Sequence, residues 1–242
     1  MYDLNNFGLR EMTYCQRELR QAGEDAGTME EAANRIVQFL YNNLIDGETG
    51  EKACELVRFF KTHDYADLDE RLKEISRKAL KAEDAPANLK CLTLLASMGA
   101  KEEWNSRKTS EGHQAIPLPT ADFVNRLPMV SNLFKQLGLE IGDVITPRID
   151  FFLDKNEDSY GVFYVSDAID SEMIPDQENF VKPRGIQSVL GFGGILPSGN
   201  IFTTLMFSKV PITQATANLF ATLALSVAYT ITSFEDKVFN DA

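Results

Sequence analysis

The sequence predicts an α+β domain: a central antiparallel sheet flanked by helices, with N- and C-terminal helices packing together. Three observations carry that prediction. Apolar runs of strand length fall in groups and do not alternate one for one with helical segments, as a doubly wound parallel sheet would require. The last two runs, 185–196 and 200–210, are separated only by Pro197-Ser198-Gly199-Asn200, a turn too short for a parallel crossover. Helical periodicity marks both ends of the chain.

Residues 3–22 form the first helix, with Leu4, Phe7, Met12, Cys15 and Leu19 recurring at helical steps and Gly23 and Gly27 as stop signals. Thr28-Met29-Glu30-Glu31 spells a capping box, in which Thr28 caps an amide and Glu31 reaches back. The helix it opens carries Ala32, Ala33, Ile36, Val37, Leu40 and Leu44 on one face. After the turn IDGETGE, residues 53–63 and 88–99 read as strands, with a surface helix between them on Leu68, Leu72, Ile75 and Leu80. AIPLP (115–119) is a short strand that its two prolines confine to an edge or an end. Residues 120–138 predict two helical pieces, because Pro128 lacks an amide proton and suits the first turn of the second. A strand at 160–168, a polar excursion, the 185–210 hairpin and a final helix from Thr213 complete the order.

The chain of 242 residues, 44% hydrophobic and 25% charged, is long and apolar enough to bury a sizeable core. Its net charge of −12 argues against nucleic acid and anionic membrane surfaces as partners, since both attract clustered Lys and Arg. The first twenty residues lack an apolar signal region, and LFATLALSVAYTI (219–231) is short for a bilayer span. Cys15, Cys54 and Cys91 are scattered and form no CxxC pair, which points to a reducing, cytoplasmic setting. Neither His63 nor His113 has a partner at metal-ligand spacing, so no metal is expected.

GFGGILPSG (191–199) superficially resembles a phosphate-binding loop. The dinucleotide pattern fails at Leu196, where a third glycine is needed, and an apolar strand follows where a helix N-terminus should hold the phosphate. Gly194 and Gly199 have Walker A spacing, yet Asn200 and Ile201 stand where Lys and Ser/Thr are required. The glycines are read as thinning a strand, with close approach of a helix or ligand as the expected reason.

Gly185-Ile186-x-Ser188, the corner Ser208-Lys209-Val210-Pro211, and Leu223, Ala224, Val227 and Ala228 in the last helix together resemble the end of a GAF domain. The helix after Thr28 and the strand ACELVRFF resemble its front, so the resemblance spans about 29–234. The middle segment is longer than the family pattern. The bilin-anchoring cysteine has no convincing equivalent, and the N-K-x-n-F-x3-D-E motif of the cyclic-nucleotide branch is absent. The organisation implied is an N-terminal helix (1–27) for dimerisation or signalling, a GAF-like domain (28–234) and a tail or linker start (235–242). The resemblance implies a non-enzymatic sensory or regulatory domain of bacterial signal transduction. It would bind a small molecule, form a homodimer through its terminal helices, and pass a signal to an output kinase or PAS-type module. No haem, bilin or metal signature names a cofactor. A dimerisation or protein-interaction module without ligand is the alternative. An enzyme acting on a small metabolite is a third class, for which no G-x-S-x-G elbow or marked nucleophile is present.

Candidate ligand-binding residues cluster in WNSRKTSEGHQ (104–114), where Trp104 offers an aromatic plate and Arg107 and His113 a cation and a titratable ring. A GAF-like pocket lies between one sheet face and the middle helices and loops, so this segment is expected to line it. Tyr164, Asp167 and Arg184 are added on the same family logic.

Overall fold

A computed structural model describes residues 1–147 and 160–240. Six strands form one antiparallel sheet: β3 (Cys54–Asp64), β4 (Lys90–Gly99), β5 (Ala115–Pro117), β6 (Tyr160–Val165), β7 (Ser188–Ile195) and β8 (Ile201–Ser208). Their spatial order is β5-β4-β3-β8-β7-β6, and every neighbouring pair is antiparallel. The predicted α+β architecture is therefore the observed one. Two short strands, β1 (Tyr2–Asp3) and β2 (Leu44–Ile45), pair in parallel beside it.

Both faces of the sheet are covered, which is why all eight residues of β7 and of β8 are buried and why these strands read as continuous apolar runs. On one face lie α1 (Leu9–Gln21), α2 (Met29–Asn43) and α7 (Gln214–Thr232), packed on Val57, Phe59, Phe192, Phe202 and Met206. On the other, Leu56, Phe60, Leu94, Leu205 and Phe207 meet α4 (Ala121–Asn125), α5 (Pro128–Gln136), α6 (Ile141–Ile145) and a π-helical turn at Gln177–Val181. At the β5 edge, α3 (Glu70–Leu80) closes a smaller cluster on Leu72, Cys91 and Ala115. Alternate residues of β3 thus serve opposite cores, as the strand period dictates.

Local chemistry sets the helix starts. Thr28, Asp69, Thr120 and Thr213 each accept a hydrogen bond from the amide three residues on. Glu31 reaches back one residue further than a standard capping box, accepting from the Gly27 amide at 2.8 Å. Pro128 stands in the first turn of α5. The first helix begins at Leu9, not residue 3, because the preceding residues form β1 and a turn tied by Asp3 to the Asn5 amide.

The terminal helices hold each other: Phe7 and Phe220 rings lie 5.0 Å apart, and the Thr230 hydroxyl donates to the Leu19 carbonyl at 2.9 Å. Leu4, Phe7, Cys15 and Leu19 share one core with α2 and α7. The C-terminal residues return to α2, whose Met29 and Glu30 amides donate to the Lys237 and Val238 carbonyls at 2.8 and 2.9 Å. At 19 residues and mean hydropathy 1.3, α7 meets the length and composition of a bilayer span, contrary to the estimate from 219–231 alone. Here its inner side, including Phe220, Leu223, Ala224 and Val227, is fully buried against the sheet, as in a core helix.

The hairpin forms at Pro197–Asn200 as predicted, with Gly199 at φ 81° and the Leu196 amide bonded to the Asn200 carbonyl at 2.8 Å. The reason for its glycines differs from expectation. A Cβ on Gly193 would lie 2.1 Å from the Phe202 carbonyl oxygen, and one on Gly191 2.6 Å from Leu205 Cδ2. At both positions the nearest atoms belong to β8, not to a helix. A helix does approach closely at Gly161, where a Cβ would lie 3.2 Å from Leu137 Cα.

Candidate functional site

A cavity of about 430 Å³ opens between the sheet and α3–α5, within the size range of small-molecule sites. Its floor is Arg58 and Phe60 of β3, Leu92 of β4, and Leu205 and Phe207 of β8. Ile75 and Ala79 of α3 form one wall, and Phe123, Leu127, Met129, Val130 and Leu133 of the α4–α5 pair form another. His113, Glu172 and Pro175 stand among the lining residues contributed by loops. The lining is mostly apolar because β3 and β8 turn large side chains to this face while the amphipathic α5 points Val130, Leu133 and Phe134 inward.

Among the described residues one buried charge lies in that lining. Arg58 is 8% exposed, and its guanidinium donates to the Gly112 carbonyl at 3.1 Å, Ser110 Oγ at 2.8 Å and the Glu111 carbonyl at 2.7 Å. Among the described residues its Nε has no hydrogen-bond partner. Burial pulls its pKa down to about 10, which leaves it protonated at neutral pH. Three neutral oxygens answer its charge, and among the described residues no carboxylate pairs with it. The bonds also fix the 110–113 loop, whose Gly112 and His113 both take left-handed backbone, at φ 75° and 57°. Ser110 Oγ lies 3.0 Å from Ser97 Oγ, and Gln114 Nε2 donates to the Ser110 and Arg107 carbonyls.

Of the six residues predicted from sequence, His113 lines this cavity. Its side chain is exposed at the rim, while the surrounding protein and the Arg58 charge hold its pKa below the usual imidazole value. Trp104 lies on the same sheet face but is packed shut by the edge of Phe180 at 5.7 Å and the Arg184 guanidinium at 5.5 Å. Arg184 also lies 3.6 Å from a Glu55 carboxylate oxygen. Arg107 points elsewhere: its buried guanidinium pairs with Glu30 at 2.8 Å and Asp69 at 3.5 Å, tying together the starts of α2 and α3. Tyr164 faces the terminal helices, its hydroxyl donating to the Ile212 carbonyl. Asp167 is exposed and accepts from the Ile169 amide. The structure therefore brings His113 to the cavity, puts Trp104 and Arg184 together beside it, and leaves the other three apart. Arg58 is the residue that sequence reasoning missed. The available signal was a cation inside LVRFF, a run otherwise apolar on both faces.

A second, polar cavity of about 650 Å³ lies under the C-terminal residues, with Lys61 and His63 of β3 in its lining. Burial lowers the Lys61 pKa to about 8, and burial with the nearby Lys61 charge holds His63 well below the usual value. The three thiols are buried; burial pushes Cys15 and Cys54 up to about 12 and raises Cys91, so none is an activated nucleophile. Among the described residues no group of three His, Cys, Asp or Glu side chains is placed to hold a metal ion.

No family model and no curated protein matches this chain.

Proposed function

We propose that this chain is a ligand-binding regulatory domain of the GAF-like sensory type, with the Arg58 cavity as its receptor site and the terminal helices as its output. The observation that carries the reading is the apolar cavity of about 430 Å³ on one sheet face, opposite the face covered by α1, α2 and α7. That is the placement the family resemblance implied for a pocket. Strands β3 and β8 contribute to both cores, so a ligand against Phe60 or Phe207 acts on strands that also carry Phe59 and Met206. Binding would then bias two packing arrangements of the helices.

A specific feature of α7 supports dimerisation as part of the same function. The helix contains no charged residue, and Leu225 (48% exposed) and Tyr229 (75% exposed) stand on its outer side. A second copy of the chain is the occupant proposed for this surface, in an isologous pairing.

The test of the ligand reading is a thermal-shift screen of small metabolites against the wild type and Met129→Trp, which fills the cavity. Stabilisation of the wild type that Met129→Trp abolishes supports the reading. Stabilisation shared equally by both proteins contradicts it. For the dimer, sedimentation of Leu225→Lys/Tyr229→Glu should show a monomer where the wild type shows a concentration-dependent dimer.

A further inference from the structure

The two deeply buried arginines among the described residues are treated differently. Arg107, 3% exposed, has two carboxylates against it, Glu30 and Asp69. Arg58 is nearly as buried and, among the described residues, has only carbonyl and hydroxyl oxygens, with Nε left over. A guanidinium taken out of water without an anion bears a desolvation cost that neutral acceptors offset only in part. Arg58 is also in contact with an otherwise apolar cavity. The charge and the cavity call for one molecule: an anionic head joined to an apolar body.

We propose that the cavity takes a carboxylic acid with an alkyl or aryl body, its carboxylate against the Arg58 guanidinium and its body on Phe60, Leu92, Leu133 and Phe207. This rests on the ligand-binding reading above and adds the chemical class. The charge inventory favours a singly charged head. Arg58 is the cation facing the cavity, the His113 imidazole beside it is shifted toward its neutral form, Glu172 lines the cavity on the negative side, and Asp176 acts electrostatically on His113. A phosphate dianion would need more donors than one partly committed guanidinium and one rim imidazole offer. Nη2 already donates to two oxygens, so a carboxylate would take the donors that remain, Nε–H and one Nη1–H.

The test is calorimetric titration at pH 7 with octanoate against octanamide, and with 3-phenylpropanoate against 3-phenylpropanamide. The amide has nearly the shape of the acid and lacks its charge. In the wild type each acid should bind at least tenfold more tightly than its amide. Arg58→Gln should bring that ratio below about twofold, and Arg58→Lys should keep part of it. Met129→Trp should abolish binding of acid and amide alike. Equal binding of acid and amide by the wild type, lost in Met129→Trp, overturns the carboxylate assignment while leaving the cavity as a ligand site. Acid binding that survives in Met129→Trp, or no binding of any of the four compounds, also overturns it. The wild-type comparison stands even if Arg58→Gln does not fold.

Discussion

Arg58 and Ser110 are joined by a buried 2.8 Å hydrogen bond, the link between the central strand and the loop that carries His113 to the cavity rim. A hydrogen bond to a charged group contributes about 1.5–3 kcal/mol, and Ser110→Ala also removes the partner of Ser97. Ser110→Ala should therefore lower the urea midpoint by an amount equivalent to about 1–3 kcal/mol with an unchanged slope. An unmoved midpoint would mean that the Glu111 and Gly112 carbonyls alone hold the loop.

Gly193 of β7 makes a second test, because its crowding comes from backbone. An alanine Cβ at 193 would meet the Phe202 oxygen at 2.1 Å, which no rotamer change can relieve. Gly193→Ala should cost at least about 2 kcal/mol or prevent folding. Gly142 in α6 has nothing within 4 Å of its added Cβ, so Gly142→Ala should be neutral or stabilising by up to about 1 kcal/mol. Equal thermal midpoints for the two variants would show that the β7–β8 register is wrong.

His63 is buried beside the Phe239 ring at 5.3 Å, and burial with the Lys61, Lys90 and Arg107 charges disfavours its protonated form. Its folded pKa is depressed, so the unfolded chain takes up the proton first as pH falls through the ordinary value near 6.5. Stability should be fully present above that value and fall by up to about 1.4 kcal/mol per pH unit between roughly pH 6.5 and 5. His113 is shifted the same way and adds a part of the same sign. His63→Leu should flatten the slope over that window in denaturant titrations. A slope unchanged by the substitution would show that native and unfolded His63 take up the proton alike over this window.

How legible these features were in the sequence depended on whether local chemistry decided them. Thr28, Pro128 and Thr213 act through their own neighbouring amides or their own ring, and their helices begin where those residues predicted. Pro197 to Asn200 made the hairpin plain for the same reason. The five-residue α6 (IGDVI) is shorter than two helical turns, so it carried no usable period. The π-helical turn at 177–181 lies in a polar stretch that is organised by Gln177 Nε2 donating to the Ala168 and Ile174 carbonyls. Those contacts are made by folding and have no sequence signature.

The site was the harder part. The 104–114 segment is expected from sequence to line a pocket; of its candidates His113 stands in the cavity lining and Trp104 and Arg107 do not, because which polar groups turn inward depends on partners far along the chain. Arg107 found Glu30, Arg184 found Trp104, and His113 came to the rim because Arg58 bonds the two residues before it. Arg58 itself was hidden by its setting, since a single cation in a strand usually faces solvent. The six-stranded order, which buries β3 on both faces, is what turned it into the one buried charge among the described residues of the cavity lining.

Methyl-resolved NMR of the labelled protein during titration with octanoate reports where on the molecule a carboxylic acid sits. The account predicts saturable shifts of the Ile116, Met129, Leu133 and Leu205 methyls, which line the Arg58 cavity. These shifts should vanish in Arg58→Gln/Met129→Trp. Shifts confined to the outer side of α7, or none at saturating octanoate, would contradict it.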